Sequence, residues 1–251
     1  MFVTLALPAY NEEENIEQVL TQCVASLKTL PHTWEILVID NASSDATAER
    51  VRRFSLRQPE VRLVSHESNR LYAGSCATAL REARGDRIAI MDSDGQHTAA
   101  DLPRFMAKMD EGYGLVIGWR RDRDDPVARR VFSSAFNLMG KFYLRYPLHD
   151  LNCGFRMLDR SFAGQVSIKH HMNLSNPEFY AEAVKAGVRV GEVVVSHFPR
   201  EKGTSTMTVG KIIRMFASVS SYLRALREEM KTAHAAPSPQ LLPPSPASPP
   251  C

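Results

Sequence analysis

Arg87-Ile88-Ala89-Ile90-Met91-Asp92-Ser93-Asp94-Gly95-Gln96-His97 is the stretch that decides how this chain folds. Residues 88–91 form an apolar run too short for a helix, which fits a buried strand, and two carboxylates follow it at once. The same unit recurs upstream. Glu35-Ile36-Leu37-Val38-Ile39 runs into Asp40-Asn41-Ala42-Ser43, and residues 3–8 run into Tyr10-Asn11-Glu12. Residues 61–64 and 114–117 complete the predicted strands. Helical patterns fill the gaps. Asn11 to Asn15 supply an N-cap and an acidic first turn for the stripe Ile16, Val19, Leu20, Cys23 and Leu27. Ser44 and Asp45 cap a helix through Ala48, Val51 and Phe54, and residues 77–83 and 100–109 read as two more. Alternation of this kind predicts an α/β fold with a doubly wound, mostly parallel sheet. Ligands of such sheets sit beyond the carboxyl ends of the strands, so the three polar strand ends should meet in one crevice.

With 251 residues, 44% hydrophobic and 24% charged, the chain can bury one sizeable core. A net charge of +3 is too small to indicate a nucleic-acid partner. No apolar run approaches the roughly 20 residues of a membrane span. The N-terminal residues 1–8 lack a basic flank and a cleavage site, so they are expected to be a strand and not a signal peptide. Cys23, Cys76, Cys153 and Cys251 form no CxxC pair, which fits reduced thiols in the cytoplasm. Residues 235–251 carry seven of the fifteen prolines, too many for a packed element. The expected organisation is a catalytic domain over 1–232, divided at 120 and 206, followed by a disordered tail over 233–251.

Asp92 and Asp94, one residue apart at a strand end, can share a hard divalent cation, with Gln96 adding a neutral oxygen. Mg²⁺ or Mn²⁺ accepts such a set together with phosphate oxygens, which points to a diphosphate leaving group. A solvated acidic turn capping the next helix is the bland alternative. Asp40, Asn11 and Glu12 singly read as turn residues, and their shared location favours a site.

These residues, with Pro8-Ala9-Tyr10-Asn11-Glu12-Glu13, Asp40-Asn41-Ala42-Ser43-Ser44-Asp45, Asn69-Arg70, Asp92 to His97 and Cys153-Gly154-Phe155-Arg156, occur in the order seen in family 2 glycosyltransferases. The chain most resembles the dolichol-phosphate mannosyltransferase group and its bacterial polyprenyl-phosphate relatives, over roughly residues 1–215. That resemblance implies a GT-A fold, a nucleotide diphosphate sugar donor, a divalent metal and inversion at the anomeric carbon. By the same resemblance Asp92, Asp94 and Gln96 hold the metal and diphosphate. Pro8, Tyr10, Asn11, Glu12, Asp40, Asn69 and Ser93 belong to the donor pocket. Arg120 holds phosphate, Arg130 and Ser134 contact the acceptor phosphate, and Arg156, Arg200 and Ser205 complete the anion-binding set. Three departures stand out: Asn41-Ala42 replaces an expected Asp-Gly, Leu71 and Ala73 stand where glycines are expected, and Thr206 replaces a lysine.

A phosphate monoester is already anionic and needs arginines to place it more than a base to deprotonate it. Arg120, Arg121, Arg123, Arg129 and Arg130 fall within eleven residues, among Asp122, Asp124 and Asp125. Phosphate clamp and salt-bridged loop are both consistent with that pattern. Glu178 opens a helix and reads equally as a helix-end charge or a site residue. Phe132, Phe136, Met139, Phe142 and Tyr143 would bury one helix face or border an acyl groove. Residues 209–231 carry the stripe Ile212, Phe216, Val219, Leu223, Leu226 and Met230 beside Lys211, Arg214, Arg224, Arg227 and Lys231. Such a helix either lies in a membrane interface or packs on the catalytic domain or a second subunit. His149 and His197 are expected to serve packing or local hydrogen bonds.

The sequence therefore predicts a metal-dependent inverting transferase. It would move a hexose, from GDP-mannose or a UDP-sugar, to polyprenyl or dolichyl phosphate while peripheral on the cytoplasmic membrane face, with the segment 207–232 at the membrane. The rivals are the same fold acting on a soluble acceptor and a nucleotide-sugar binding module without turnover, against which the intact Asp92-x-Asp94-x-Gln96 argues. A nucleotidylyltransferase would show a glycine-rich loop that residues 5–11 lack. The sequence leaves open whether the chain forms a homo-oligomer.

Overall fold

β1 (Phe2–Ala9) is the strand around which the sheet is built, and seven of its eight residues are buried. The structure, a computed structural model, describes residues 1–121, 127–169, 175–199 and 209–235, with the backbone alone for 127–132, 209–217 and 233–235. After β1 come α1 (Ile16–Leu27), β2 (Thr33–Asp40), α2 (Thr47–Ser55), β3 (Val61–Ser65), α3 (Leu71–Glu82) and β4 (Arg87–Ile90). A 3₁₀ turn (Ala99–Asp101) leads into α4 (Leu102–Asp110), β5 (Leu115–Trp119) and α5 (Val127–Leu144). β6 (Arg156–Asp159), α6 (Arg160–Ala163), α7 (Asn176–Lys185), β7 (Val190–Val194) and α8 (Val209–Ala235) follow.

The strands lie in the order β3-β2-β1-β4-β6-β5-β7. β1 pairs in parallel with both β2 and β4, and Ala6 is opposite Leu37 on one side and Ile90 on the other. β6 alone runs antiparallel, between β4 and β5. The expected α/β, mostly parallel sheet is therefore present. α3 packs across β1, β2 and β4, and α4 across β5, β6 and β7, covering strands whose continuous apolar runs demand burial.

Several local expectations change. α3 starts at Leu71, six residues ahead of the predicted start at 77, because its buried residues are mostly small and give a weak apolar stripe. β6 and β7 have four and five residues and were not legible as strands. α8 packs on α7 and α5, and its Val219, Leu223 and Leu226 are buried. This corrects the expectation that the stripe of residues 209–231 lies in a membrane interface: in its described part the stripe faces the catalytic body. The expected tail, beyond Ala235, lies outside the described residues. Among the described residues no helix is long and apolar enough to cross a membrane.

At the end of the sheet opposite the strand tips, a buried carboxylate ties four segments together. Glu35 accepts hydrogen bonds from Thr4 Oγ1 at 2.7 Å, Arg62 Nε at 2.8 Å and the Arg84 backbone N–H at 2.8 Å. Gly85 N–H adds a bond to Thr4 Oγ1 at 2.8 Å, and a Cβ at Gly85 would fall 2.4 Å from the Thr4 nitrogen. Burial pushes the Glu35 carboxyl up, and the bonds from Arg62, Thr4 and Arg84 outweigh it, so it sits below the ordinary value of 4.5. Its folded value being depressed, the contribution to stability is present above that ordinary value and is lost as pH falls through the folded one. Glu35→Gln is expected to cost about 2 kcal/mol in urea unfolding at pH 7. The gap to the parent should narrow as pH falls below 4.5.

Candidate active site

Parallel strands that leave the sheet at the same edge place three loops side by side, and side chains brace them. Ser93 Oγ donates to the Pro8 carbonyl at 2.7 Å, tying the end of β4 to the end of β1. Asn11 N–H donates to Ser43 Oγ at 3.0 Å, and Asn11 Oδ1 accepts from Ser44 N–H at 2.9 Å, tying β1 to β2. Asn11, Ala42 and Leu71 all have positive φ, at 54°, 61° and 59°. Asparagine tolerates that conformation; Ala42 and Leu71 are strained in it by about 1–2 kcal/mol each. These are two of the positions where the resemblance expects glycine, so the chain keeps glycine-type turns without the glycines.

A cleft of about 550 Å³ opens at the strand ends, and the structure brings together in its lining Pro8, Tyr10, Glu12, Asn69, Asp92, Ser93 and Asp94. Asn41, Tyr72, Asn152, Gly154 and Asn176 also line it and had not been singled out as ligands. The approach of Gly154 is tight: a Cβ there would lie 2.0 Å from Asp92 Oδ2. Burial first, then the Asp92 charge, hold the Tyr72 hydroxyl well above the ordinary tyrosine value. Asn41 is the hub of the floor. Its Oδ1 accepts from Arg70 N–H at 2.9 Å and lies 2.9 Å from His66 Nδ1, while its Nδ2 donates to Asn69 Oδ1 at 3.0 Å. Burial lowers the pKa of His66, in keeping with a neutral ring.

Other expected residues sit elsewhere. Asp40, 4% exposed, accepts from Ser43 N–H and, like Asn11, is outside the cleft lining. Gln96 was expected to offer a metal ligand; its Nε2 donates to the Phe198 carbonyl at 3.2 Å, its backbone carbonyl accepts from Phe198 N–H, and it too lies outside the lining. Arg120 was expected to hold phosphate. Instead it grips Asp150 through Nε at 2.8 Å and Nη2 at 3.1 Å, and Nη2 also reaches the Asn152 carbonyl at 3.0 Å. Burial opposes the Arg120 charge, but the adjacent Asp150 carboxylate outweighs it and holds the pKa above the usual arginine range. Arg156, on β6, is 1% exposed and lies behind the cleft rather than in its wall. Ser134 is exposed on α5, and Arg130 lies in α5 where the backbone alone is described. Arg200, Ser205 and Thr206 lie outside the described residues. Glu178 is 2% exposed within α7, where it accepts from Lys169 N–H, and does not line the cleft. His149 bonds Glu192 at 2.7 Å and stacks on Trp119, the local role expected of it.

The donor set suits one kind of metal. Among the described residues no three His, Cys, Asp or Glu side chains could hold an ion by themselves. Asp92 and Asp94 supply two carboxylates on an open cleft, which fits a hard cation that takes its other oxygens from phosphates and water.

The comparisons with known proteins agree with this geometry. The chain is 28% identical over 236 residues to a dodecaprenyl-phosphate galacturonate synthase of Rhizobium johnstonii, covering 92% of this chain and 69% of the relative. It is 28% identical over 218 residues to an undecaprenyl-phosphate 4-deoxy-4-formamido-L-arabinose transferase of Salmonella paratyphi A, covering 85% and 64%. The chain thus spans about two thirds of the length of these relatives. Among solved structures, a mannosyltransferase of Pyrobaculum calidifontis in complex with GDP-Man and Mn²⁺ superposes with a TM-score of 0.59 at 21% identity, over 94% of this chain and 76% of that one. Glucosyl-3-phosphoglycerate synthase of Mycobacterium tuberculosis in complex with UDP gives 0.63 at 18%, over 90% and 80%. The fold is GT-A. Residues 4–166 match the sequence profile of glycosyl transferase family 2, and the chain belongs to that family.

Proposed function

We propose that this chain transfers a hexose from a nucleotide diphosphate sugar to a polyprenyl phosphate, with a divalent cation at Asp92 and Asp94. The observation that carries the reading is the meeting of both carboxylates with Pro8, Tyr10, Glu12 and Asn69 in one cleft at the strand ends. The names of the two polyprenyl-phosphate relatives support the acceptor, and the neighbour bound to GDP-Man and Mn²⁺ supports the donor class and the metal. Mg²⁺ serves the same chemistry.

In this reading the nucleoside lies against Tyr10 and Asn69, and the diphosphate reaches toward Asp92 and Asp94. The cation, when bound, neutralises the charge that builds on the departing diphosphate. The acceptor phosphate attacks the anomeric carbon from the opposite side, which inverts it, and no general base is needed. Arg130, Ser134, Arg200 and Ser205 hold that phosphate.

A membrane-facing surface accompanies the site. Leu138 and Phe142, one helical turn apart on α5, are each 70% exposed, and Lys141 and Arg145 are exposed beside them. No acidic residue occurs over residues 127–149. A basic face with protruding apolar side chains fits anionic lipid, so peripheral association at the cytoplasmic face is assigned to α5 in place of α8.

Release of nucleoside diphosphate from a panel of GDP- and UDP-sugars should require both a divalent metal and a short polyprenyl phosphate. Asp94→Asn should lower that release by about 10²-fold or more. Release stimulated by a soluble sugar acceptor and indifferent to polyprenyl phosphate would sink the lipid-carrier reading. For the surface, Phe142→Glu is expected to weaken co-sedimentation with phosphatidylglycerol vesicles several-fold while leaving donor binding unchanged. Equal vesicle binding by parent and variant would remove α5 from the membrane contact.

A further inference from the structure

Leu71 combines two features that folding alone disfavours. Its φ of 59° is left-handed backbone, at a position where the family resemblance expects glycine. Its side chain is 37% exposed and stands outside the apolar core, so little burial offsets that strain. The surroundings nonetheless enforce the conformation. Leu71 N–H donates to Asn69 Oδ1 at 2.8 Å, and the same oxygen accepts from Asn41 Nδ2 at 3.0 Å. Strain held in this way is characteristic of a functional site, and Leu71 lines the cleft.

Its neighbours show which part of a ligand it meets. Among the described residues, Tyr10 and Leu71 are the two large apolar side chains exposed in this lining, from the loops after β1 and β3. Exposed apolar surface inside a polar cleft suits a flat ring such as a nucleobase. Asn69 lies beside them with its oxygen already taken by two donors, so what it has left to offer is its amide N–H groups. Uracil and guanine both carry ring carbonyls that accept such bonds, so hydrogen bonding at Asn69 does not choose between them. Size does, because guanine carries a second fused ring.

We infer that Leu71 is a specificity-determining residue: its side chain closes the nucleoside end of the cleft to a purine and leaves room for a pyrimidine, so the donor is a UDP-sugar. Selection here works by exclusion, through a group built against the wrong ligand and not through an added bond to the right one. That explains why a leucine is kept where glycine would relax the backbone. The inference rests on the reading that this cleft takes a nucleotide sugar; it is independent of the acceptor and of the hexose.

Calorimetry with Mn²⁺ would compare UDP and GDP binding to the parent, Leu71→Gly and Leu71→Ala. A misfit of one methylene in a pocket is worth about 10–200-fold, so the parent should bind UDP at least about tenfold more tightly than GDP. Both variants should narrow that ratio to about threefold or less by gaining GDP affinity while keeping UDP affinity. Leu71→Ala separates the wall from the backbone. Ala42, with a φ of 61°, shows that alanine stands in this conformation elsewhere in the chain, so the variant keeps the turn and removes the branched end of the side chain. Narrowing in Leu71→Gly alone, an unchanged ratio in both variants, or loss of UDP binding in Leu71→Ala overturns the inference. So does a parent that binds GDP as tightly as UDP or more so. Binding of neither nucleotide by the parent overturns the donor reading and this inference together. A UDP preference that Leu71→Ala relaxes, in a protein that transfers no sugar to polyprenyl phosphate, supports the inference and sinks the lipid-acceptor reading instead.

Discussion

Parallel pairing of β1 with β2 on one side and β4 on the other brings the three strands out at the same edge of the sheet, β4 ending three residues short of β1, and the cleft depends on that shared edge. Ala9 is opposite Asp40, and Ala6 is opposite Ile90, so the chain leaves the sheet beside itself three times. A slip of one residue in either ladder would turn every buried side chain of that strand to the other face, which the apolar core forbids. Burial of the sheet thus fixes the position of polar residues that have no part in the core. The Ser93 bond to the Pro8 carbonyl then locks Asp92 and Asp94 to the end of β1.

Strand ends of this kind are legible in sequence because a buried strand is a short apolar run and its polar stop is local. Tyr10, Glu12, Asp92, Ser93 and Asp94 could be placed together for that reason, whereas Pro8 and Asn69 came from the family resemblance. Partners distant in sequence were not legible. Nothing near Arg120 announces that Asp150 will take its guanidinium, and nothing near Gln96 announces Phe198, which is 102 positions away. Resemblance to a family carries residue identity from position to position, but not the neighbour that claims the side chain. Tyr72 escaped notice for a different reason: the stripe of α3 is built on Ala73, Cys76 and Ala79, so the periodic signal began after it. β6 was hidden because four residues are too few to show a period.

Departures from the family pattern have structural compensation. Where a second acid was expected after Asp40, Asn41 must accept from Arg70 N–H and donate to Asn69 Oδ1. An aspartate there would set oxygen against oxygen on the Asn69 side. The same network fixes the His66 ring: with Asn41 Oδ1 as acceptor, Nδ1 carries the proton and Nε2 accepts from Thr78 Oγ1 at 2.9 Å. Leu71 keeps the left-handed turn despite its strain, and its side chain enters the cleft wall. A glycine there would relax the backbone and leave that part of the wall open. The sequence has exchanged backbone ease for a narrower pocket.

Charge balance supplies the last constraint. Among the described residues lining the cleft are the carboxylates Glu12, Asp92 and Asp94, and no lysine or arginine. Arg120, the cation expected at the phosphate, is neutralised by Asp150, and Arg156 is buried outside the cleft lining. A diphosphate entering this wall would meet like charge within a few ångströms, where repulsion in partly desolvated surroundings amounts to several kcal/mol. A hard divalent ion held by Asp92 and Asp94 would turn that repulsion into attraction. Under the proposed function, the charge of the described wall favours a divalent ion as much as the two aspartates do.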